Sequence, residues 1–124
     1  MKIGLRYSEE YIVEHDHSAL MMGSGELLVL STPALVSYME NCSKEAIKEY
    51  LNEDDTTVGI SLNMSHVKAS KIGSTIVCEA ELINIEGRVL TFKVIAKDND
   101  VVISELTHQR VIVNKERFMQ KVNS

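Results

Sequence analysis

Three side chains in this sequence combine useful chemistry with positions from which it can be aimed. Glu40 lies where Leu35, Tyr38, Met39, Cys42, Ala46 and Tyr50 recur at steps of three and four, the signature of a helix with one apolar face. At about 100° per residue it falls beside Val36, Ser43 and Ile47, on the rim of that face. A carboxylate on such a rim can face a cleft and accept a proton as a general base. It can equally pair with Lys44, four residues on, for roughly a few tenths of a kcal/mol. His66 ends an alternating run of Val58, Ile60, Leu62 and Met64, so the pattern turns it inward with them. A histidine there is commonly a satisfied core residue and less often a proton carrier. Thr32 stands with Ser31 just before Pro33, and either hydroxyl can cap the helix that the proline opens. The same place lies beside the free N–H groups of a helix start, donors that can stabilise an oxyanion.

Other reactive residues point less sharply. His108 and Arg110 alternate on one face of the last strand, where they can contact phosphate or other polar ligand groups, form ordinary strand ion pairs, or support a site. His15-Asp16-His17 has no third ligand at a telling spacing, so a solvated loop is expected and no metal. Cys42 and Cys78 each lie among apolar residues with no Cys-x-x-Cys spacing, which predicts buried free thiols. Met21, Met22, Met39 and Met64 read as core filler that would also suit an adaptable apolar pocket.

The elements that must position these residues are few. Residues 5–14 hold the β-formers Tyr7, Tyr11, Ile12 and Val13 and predict a first strand. Residues 15–25 read as loop, and residues 26–30 as a short extended piece. One long helix follows, ending near Leu51-Asn52. After it come four strands with alternating apolar faces, broken by the turns at Gly73, Glu86-Gly87 and Asp98-Asn99-Asp100. The tail, residues 114–122, can form a helical turn with Phe118 and Val122 docking. One helix packed on one face of an antiparallel meander of about five strands gives an α+β class. The last strand is apolar on both faces at its ends (Val101, Val102, Ile103; Val111, Ile112, Val113), and one helix covers only one face. A second subunit is the expected cover, hence a homodimer.

Composition narrows the partners. A chain of 124 residues reads as a single domain, 1–124. Its net charge of −5 gives no basic footprint for nucleic acid or an anionic membrane surface. No apolar run approaches the roughly 20 residues of a membrane span, and the first residues hold no signal-peptide core. With the free thiols, these features place the protein in the cytoplasm.

The residues also carry a resemblance. The stretch of residues 23–40, GSGELLVLSTPALVSYME, looks like the helix entry of hotdog-fold thioesterases related to fluoroacetyl-CoA thioesterase. Val58-Gly59 and Met64-Ser65-His66 resemble that family's next strand, Glu86-Gly87-Arg88 its hairpin, and Thr107-His108-Gln109-Arg110 its last strand. The similarity runs from about Ile3 to Phe118. It implies the hotdog fold, a homodimer with sites at the subunit interface, no metal or other cofactor, and hydrolysis of a short or medium acyl-CoA. It further implies an active centre of Thr32, Glu40 and His66; with such a substrate, the groups that His108 and Arg110 on their strand face could meet are the phosphate or pantetheine groups of CoA. One departure stands out: the fluoroacetyl-specific member carries a phenylalanine-rich lid before its helix, whereas residues 15–30 here contain no aromatic side chain. Leu20, Met21, Met22, Leu27, Leu28 and Leu30 are expected to line the pocket mouth instead. The same fold supports two rival activities, a non-catalytic acyl-CoA binding or sensing protein and a hydratase or dehydratase. Release of free thiol from acyl-CoA distinguishes the thioesterase from both.

Overall fold

The structure, a computed structural model, covers Met1 to Ser124. Its strands are β1 (Arg6–Ile12), β2 (Asp55–His66), β3 (Thr75–Glu86), β4 (Val89–Asp98) and β5 (Val101–Asn114). Its helices are α1 (Ala19–Met22), α2 (Thr32–Ile47) and α3 (Lys115–Val122). All strand pairs are antiparallel, in the order β1-β3-β4-β5-β2. The expected α+β fold, one long helix on a five-stranded antiparallel sheet, is what forms. Residues 15–25 depart from the expected loop, because His15–His17 makes a 3-10 turn and Ala19–Met22 a helical turn capped by Ser18.

The helix α2 buries the apolar stripe seen in the sequence as far as Ile47, short of the expected end near Leu51-Asn52; Lys48–Tyr50 forms a 3-10 turn and Tyr50 is exposed. Leu35, Met39, Cys42 and Ile47 are fully buried against Cys78, Ala80, Phe92 and Val94 of the sheet. Both cysteines are free, as expected, and burial pushes each thiol up to about 12. Ser31, not Thr32, is the cap: its Oγ accepts from the Ala34 N–H at 3.1 Å. Pro33 therefore occupies the second helical position, where its missing N–H still costs nothing.

The strand β2 differs from the meander in two ways. It leaves the helix for the far edge of the sheet, beside β5, so one side of its backbone has no partner in the chain. It also carries a bulge between Gly59 and Ser61. An extra residue reverses which face the following side chains meet. Thus Gly59, Leu62, Met64 and His66 pair with Arg110, His108, Leu106 and Ser104 on the helix side, while Val58 pairs with Val111 on the other. The inward run expected for Val58 and Ile60 is corrected by this switch. Ile60 and Leu62 are left 52% and 46% exposed on the open edge.

Because Ser31 alone supplies the cap, Ser31→Ala should lower stability by about 1 kcal/mol in thermal or urea unfolding. Thr32→Ala should cost clearly less. Equal losses would contradict the cap assignment.

Candidate active site

The three residues singled out by the sequence fall into two clusters. The first is at the start of α2, where Thr32 Oγ1 and His66 Nδ1 share a hydrogen bond of 2.9 Å. With the capping duty taken by Ser31, the Thr32 hydroxyl is left for this contact. Ser31 also holds the Ala34 N–H through its side chain and the Leu35 N–H through its carbonyl, and Pro33 has no N–H. The donors open at this helix start are therefore those of Thr32 itself, fewer than a free helix end offers. Burial holds the His66 pKa below its ordinary value, the Lys68 backbone opposing, so the imidazole is neutral near pH 7. Its Nε2 makes no hydrogen bond within the chain.

A cavity of about 320 Å³ opens beside this pair, walled by Ala19, Ser24, Val29, Leu30, Val67 and Lys68 among others. Of the residues expected at the pocket mouth, Leu30 is there. Leu20, Met21, Met22, Leu27 and Leu28 instead point outward and are exposed. The helical turn α1 directs Leu20, Met21 and Met22, while Leu27 and Leu28 lie in the bent segment after it, which no apolar count could reveal.

The second cluster surrounds Glu40. Arg110 is buried and spends its Nε and Nη2 on Thr57, at 2.8 Å to the hydroxyl and 3.0 Å to the carbonyl. Its Nη1 donates to His108 Nε2 at 3.1 Å and lies 3.6 Å from Glu40 Oε2. His108 Nδ1 donates to the Ser61 carbonyl at 2.8 Å, which fixes the neutral tautomer whose Nε2 accepts from arginine. Burial, reinforced by Arg110, keeps the His108 pKa below its ordinary value. Burial also lowers that of Arg110, and the charge of Glu40 opposes it. Glu40 Oε2 is 3.9 Å from the imidazole, and no hydrogen bond within the chain holds its side chain, which is 38% exposed. The alternative pairing with Lys44 does not form; Lys44 pairs with Glu45. A carboxylate so placed is oriented by charge and remains open to water.

His108 and Arg110 thus lie behind Glu40, almost without exposed surface. Within the chain their polar atoms are spent on Thr57, the Ser61 carbonyl, each other and Glu40, an arrangement that fits the alternative reading, support of a site, better than direct contact with CoA. Sequence reasoning missed Thr57, which anchors Arg110, and the role of Gly59. A Cβ on Gly59 would sit 2.9 Å from Glu40 Oε2 and 3.1 Å from His108 Cε1. The clue was available, since a glycine inside a strand often marks a bulge or a close approach. No group of three or more His, Cys, Asp or Glu side chains is placed to hold a metal ion.

The two clusters do not meet in one chain. Thr32 and Glu40 are separated by about 12 Å along the helix axis. Gly59, beside Glu40, and His66, beside Thr32, sit at opposite ends of the bulged half of β2.

Comparison with known proteins adds to this geometry. Residues 13–116 match the model of a family described as FlK, fluoroacetyl-CoA-specific thioesterase. A fluoroacetyl-CoA thioesterase of Streptantibioticus cattleyicolor is 30% identical over 128 residues, covering 98% of this chain and 92% of that protein. A crystal structure of an FlK variant in complex with acetyl-CoA superposes with a TM-score of 0.94 at 26% identity, over 99% of this chain and 97% of that one. Another FlK variant, in complex with fluoroacetate and CoA, gives 0.88 at 27% identity over 95% and 99%. A hypothetical protein of Thermus thermophilus, a thioesterase superfamily member, shares the fold at 19% identity with a TM-score of 0.89, over 98% and 90%. The resemblance read from the motifs is borne out.

The crowding at Gly59 yields a direct test. Gly59→Ala should displace the Glu40 carboxylate while leaving the fold intact, lowering kcat roughly a hundredfold, the scale of a 1 Å misplacement. Turnover within about twofold of the parent, with an unchanged circular dichroism spectrum, would show that the close approach has no functional weight.

Proposed function

The chain belongs to the fluoroacetyl-CoA-specific thioesterase family, and we propose that its two clusters combine across a homodimer to hydrolyse short or medium acyl-CoA. It is a hotdog-fold acyl-CoA thioesterase, a thioester hydrolase. What supports a shared site is the separation of Glu40 from the Thr32–His66 pair, together with the open edge of β2. An unpaired edge bearing exposed Ile60 and Leu62 is a template for another strand. Antiparallel pairing of β2 with its copy about a two-fold axis near Leu62 and Asn63 sets the Gly59 end of one strand beside the His66 end of the other. Glu40 of one subunit then faces Thr32 and His66 of the partner subunit.

In that arrangement Glu40 takes a proton from water as the water oxygen attacks the thioester carbonyl. The Thr32 N–H and hydroxyl, the latter held by neutral His66, receive the developing oxyanion. Collapse expels the CoA thiolate, which takes from Glu40 the proton that came from water, leaving the free acid and CoA thiol. Arg110 aims Glu40 from 3.6 Å, without a close hydrogen bond to compete with the water. The whole span, 1–124, acts as one thioesterase domain in the cytoplasm. No helix is long and apolar enough to cross a membrane.

Thiol release from acetyl-, fluoroacetyl-, butyryl- and hexanoyl-CoA tests this reading. Glu40→Gln should keep the fold and lower turnover at least about a hundredfold on each substrate. A folded Glu40→Gln protein with near-normal turnover would sink the mechanism. Because the segment before α2 has no aromatic side chain, kcat/KM for fluoroacetyl-CoA should exceed that for acetyl-CoA by far less than about a thousandfold.

A further inference from the structure

Arg88, Arg117 and Lys121 face one groove of about 550 Å³ at the opposite end of β2 from His66, with Phe118, Asn114 and Asp55 in its walls. Two elements supply the cations. Arg88 comes from the turn between β3 and β4, and α3 gives Arg117 and Lys121, one turn apart on one side of the helix. Three cations about one groove reverse the sign of a chain whose net charge is −5. Asp55 is the one carboxylate in the lining, 3.8 Å from Arg88 Nη2, while Arg117 and Lys121 form no ion pair within the chain.

The aromatic residue is equally unspent. Of the two phenylalanines Phe92 is fully buried, but Phe118 stays 37% exposed, and Met119 and Val122 beside it are exposed too. Docking of Phe118 and Val122 on the core, expected from the sequence, therefore does not occur. The helix is nonetheless held in place, for Asn114 Oδ1 caps the Arg117 N–H at 3.0 Å and Lys115 Nζ donates to the Glu53 carbonyl at 3.0 Å.

A shared wall residue and one strand relate the groove to the Glu40 cluster. A second cavity, of about 410 Å³, is lined by Lys44, Lys48, Asn52, Thr56 and Thr57 and shares Asp55 with the groove. Thr57 is the residue that anchors Arg110 behind Glu40. From Gly59, beside Glu40, to Asp55 the strand covers about 13 Å. A ligand using both ends is long, with a reacting group at one end and phosphates and a planar base at the other.

We propose that this groove binds the 3′-phosphorylated ADP end of CoA, the pantetheine arm lying in the cavity between it and Glu40. The inference rests on the acyl-CoA reading above and adds the residues that recognise the nucleotide. The Arg117 guanidinium forks onto phosphate oxygens, and the Phe118 ring packs on adenine. Arg88, whose Nε donates to the Ile112 carbonyl at 3.0 Å, and Lys121 add positive charge.

The test compares acetyl-CoA with acetyl-pantetheine, which lacks the nucleotide, and measures adenosine 3′,5′-bisphosphate binding by calorimetry. The Arg117→Gln/Lys121→Gln double variant should raise KM for acetyl-CoA about tenfold or more, with kcat within about twofold. Its kinetics on acetyl-pantetheine should match those of the parent, a result that general destabilisation would not give. Adenosine 3′,5′-bisphosphate should bind the parent, compete with acetyl-CoA, and lose affinity in the double variant. Phe118→Leu should weaken the nucleotide without affecting inorganic phosphate. An unchanged KM for acetyl-CoA, or inorganic phosphate binding as tightly as the nucleotide, would overturn the proposal. Failure of the parent to release thiol from either thioester would refute the thioesterase reading alone. Calorimetry would then still decide the groove: nucleotide binding lost in the double variant supports it, and binding unchanged overturns it.

Discussion

The buried guanidinium of Arg110 is the constraint on which the site depends. A charge removed from water must be paired and hydrogen-bonded or it destabilises the fold by several kcal/mol. Here the Thr57 hydroxyl and carbonyl, His108 Nε2 and the Glu40 carboxylate surround it. Each partner imposes a further condition. His108 can accept from arginine because its other nitrogen donates to the Ser61 carbonyl. Thr57 and Gly59 face the helix because the bulge comes after them, and Gly59 leaves the space that the carboxylate enters. The carboxylate is thus set by the sheet beneath it as much as by its own helix.

The same strand explains why the chemistry is divided. Up to Gly59 it serves the Glu40 cluster, and from Leu62 onward it leads to His66 and the start of α2. Its outer edge is open and apolar. Local geometry therefore prepares a base at one end and an electrophilic pair at the other. In the proposed homodimer, two-fold pairing of such a strand would join unlike ends and turn two half-sites per chain into two whole sites.

Much of this was legible in the residues. The apolar stripe, the proline at the helix start and the alternating strands specified the elements, and a helical wheel put Glu40 on the rim where it stands. What the sequence hid were choices between chemically equivalent neighbours and changes of parity. Ser31 and Thr32 are both good caps, and only the backbone path decides that Ser31 takes the role and frees Thr32. The bulge turns Val58 away from the face that Leu62 shares with His66, a switch that no periodicity announces. The destination of β2 was equally hidden, since strand order depends on long-range pairing. His108 and Arg110 share one face as the alternation indicated, but their burial behind Glu40 depends on the packing of α2 on the sheet, which alternation does not reveal.

The central claim, that catalysis needs Glu40 from one subunit and the Thr32–His66 pair from the other, is tested most directly by mixing two inactive variants. Glu40→Gln and Thr32→Ala proteins, unfolded together and refolded, pair at random, and half of the dimers are hybrids with one intact site. The account predicts recovery of about a quarter of the parent activity, appearing only after subunit exchange. No recovery, with hybrid dimers present and folded, would mean that each chain uses its own three residues and would contradict the shared site.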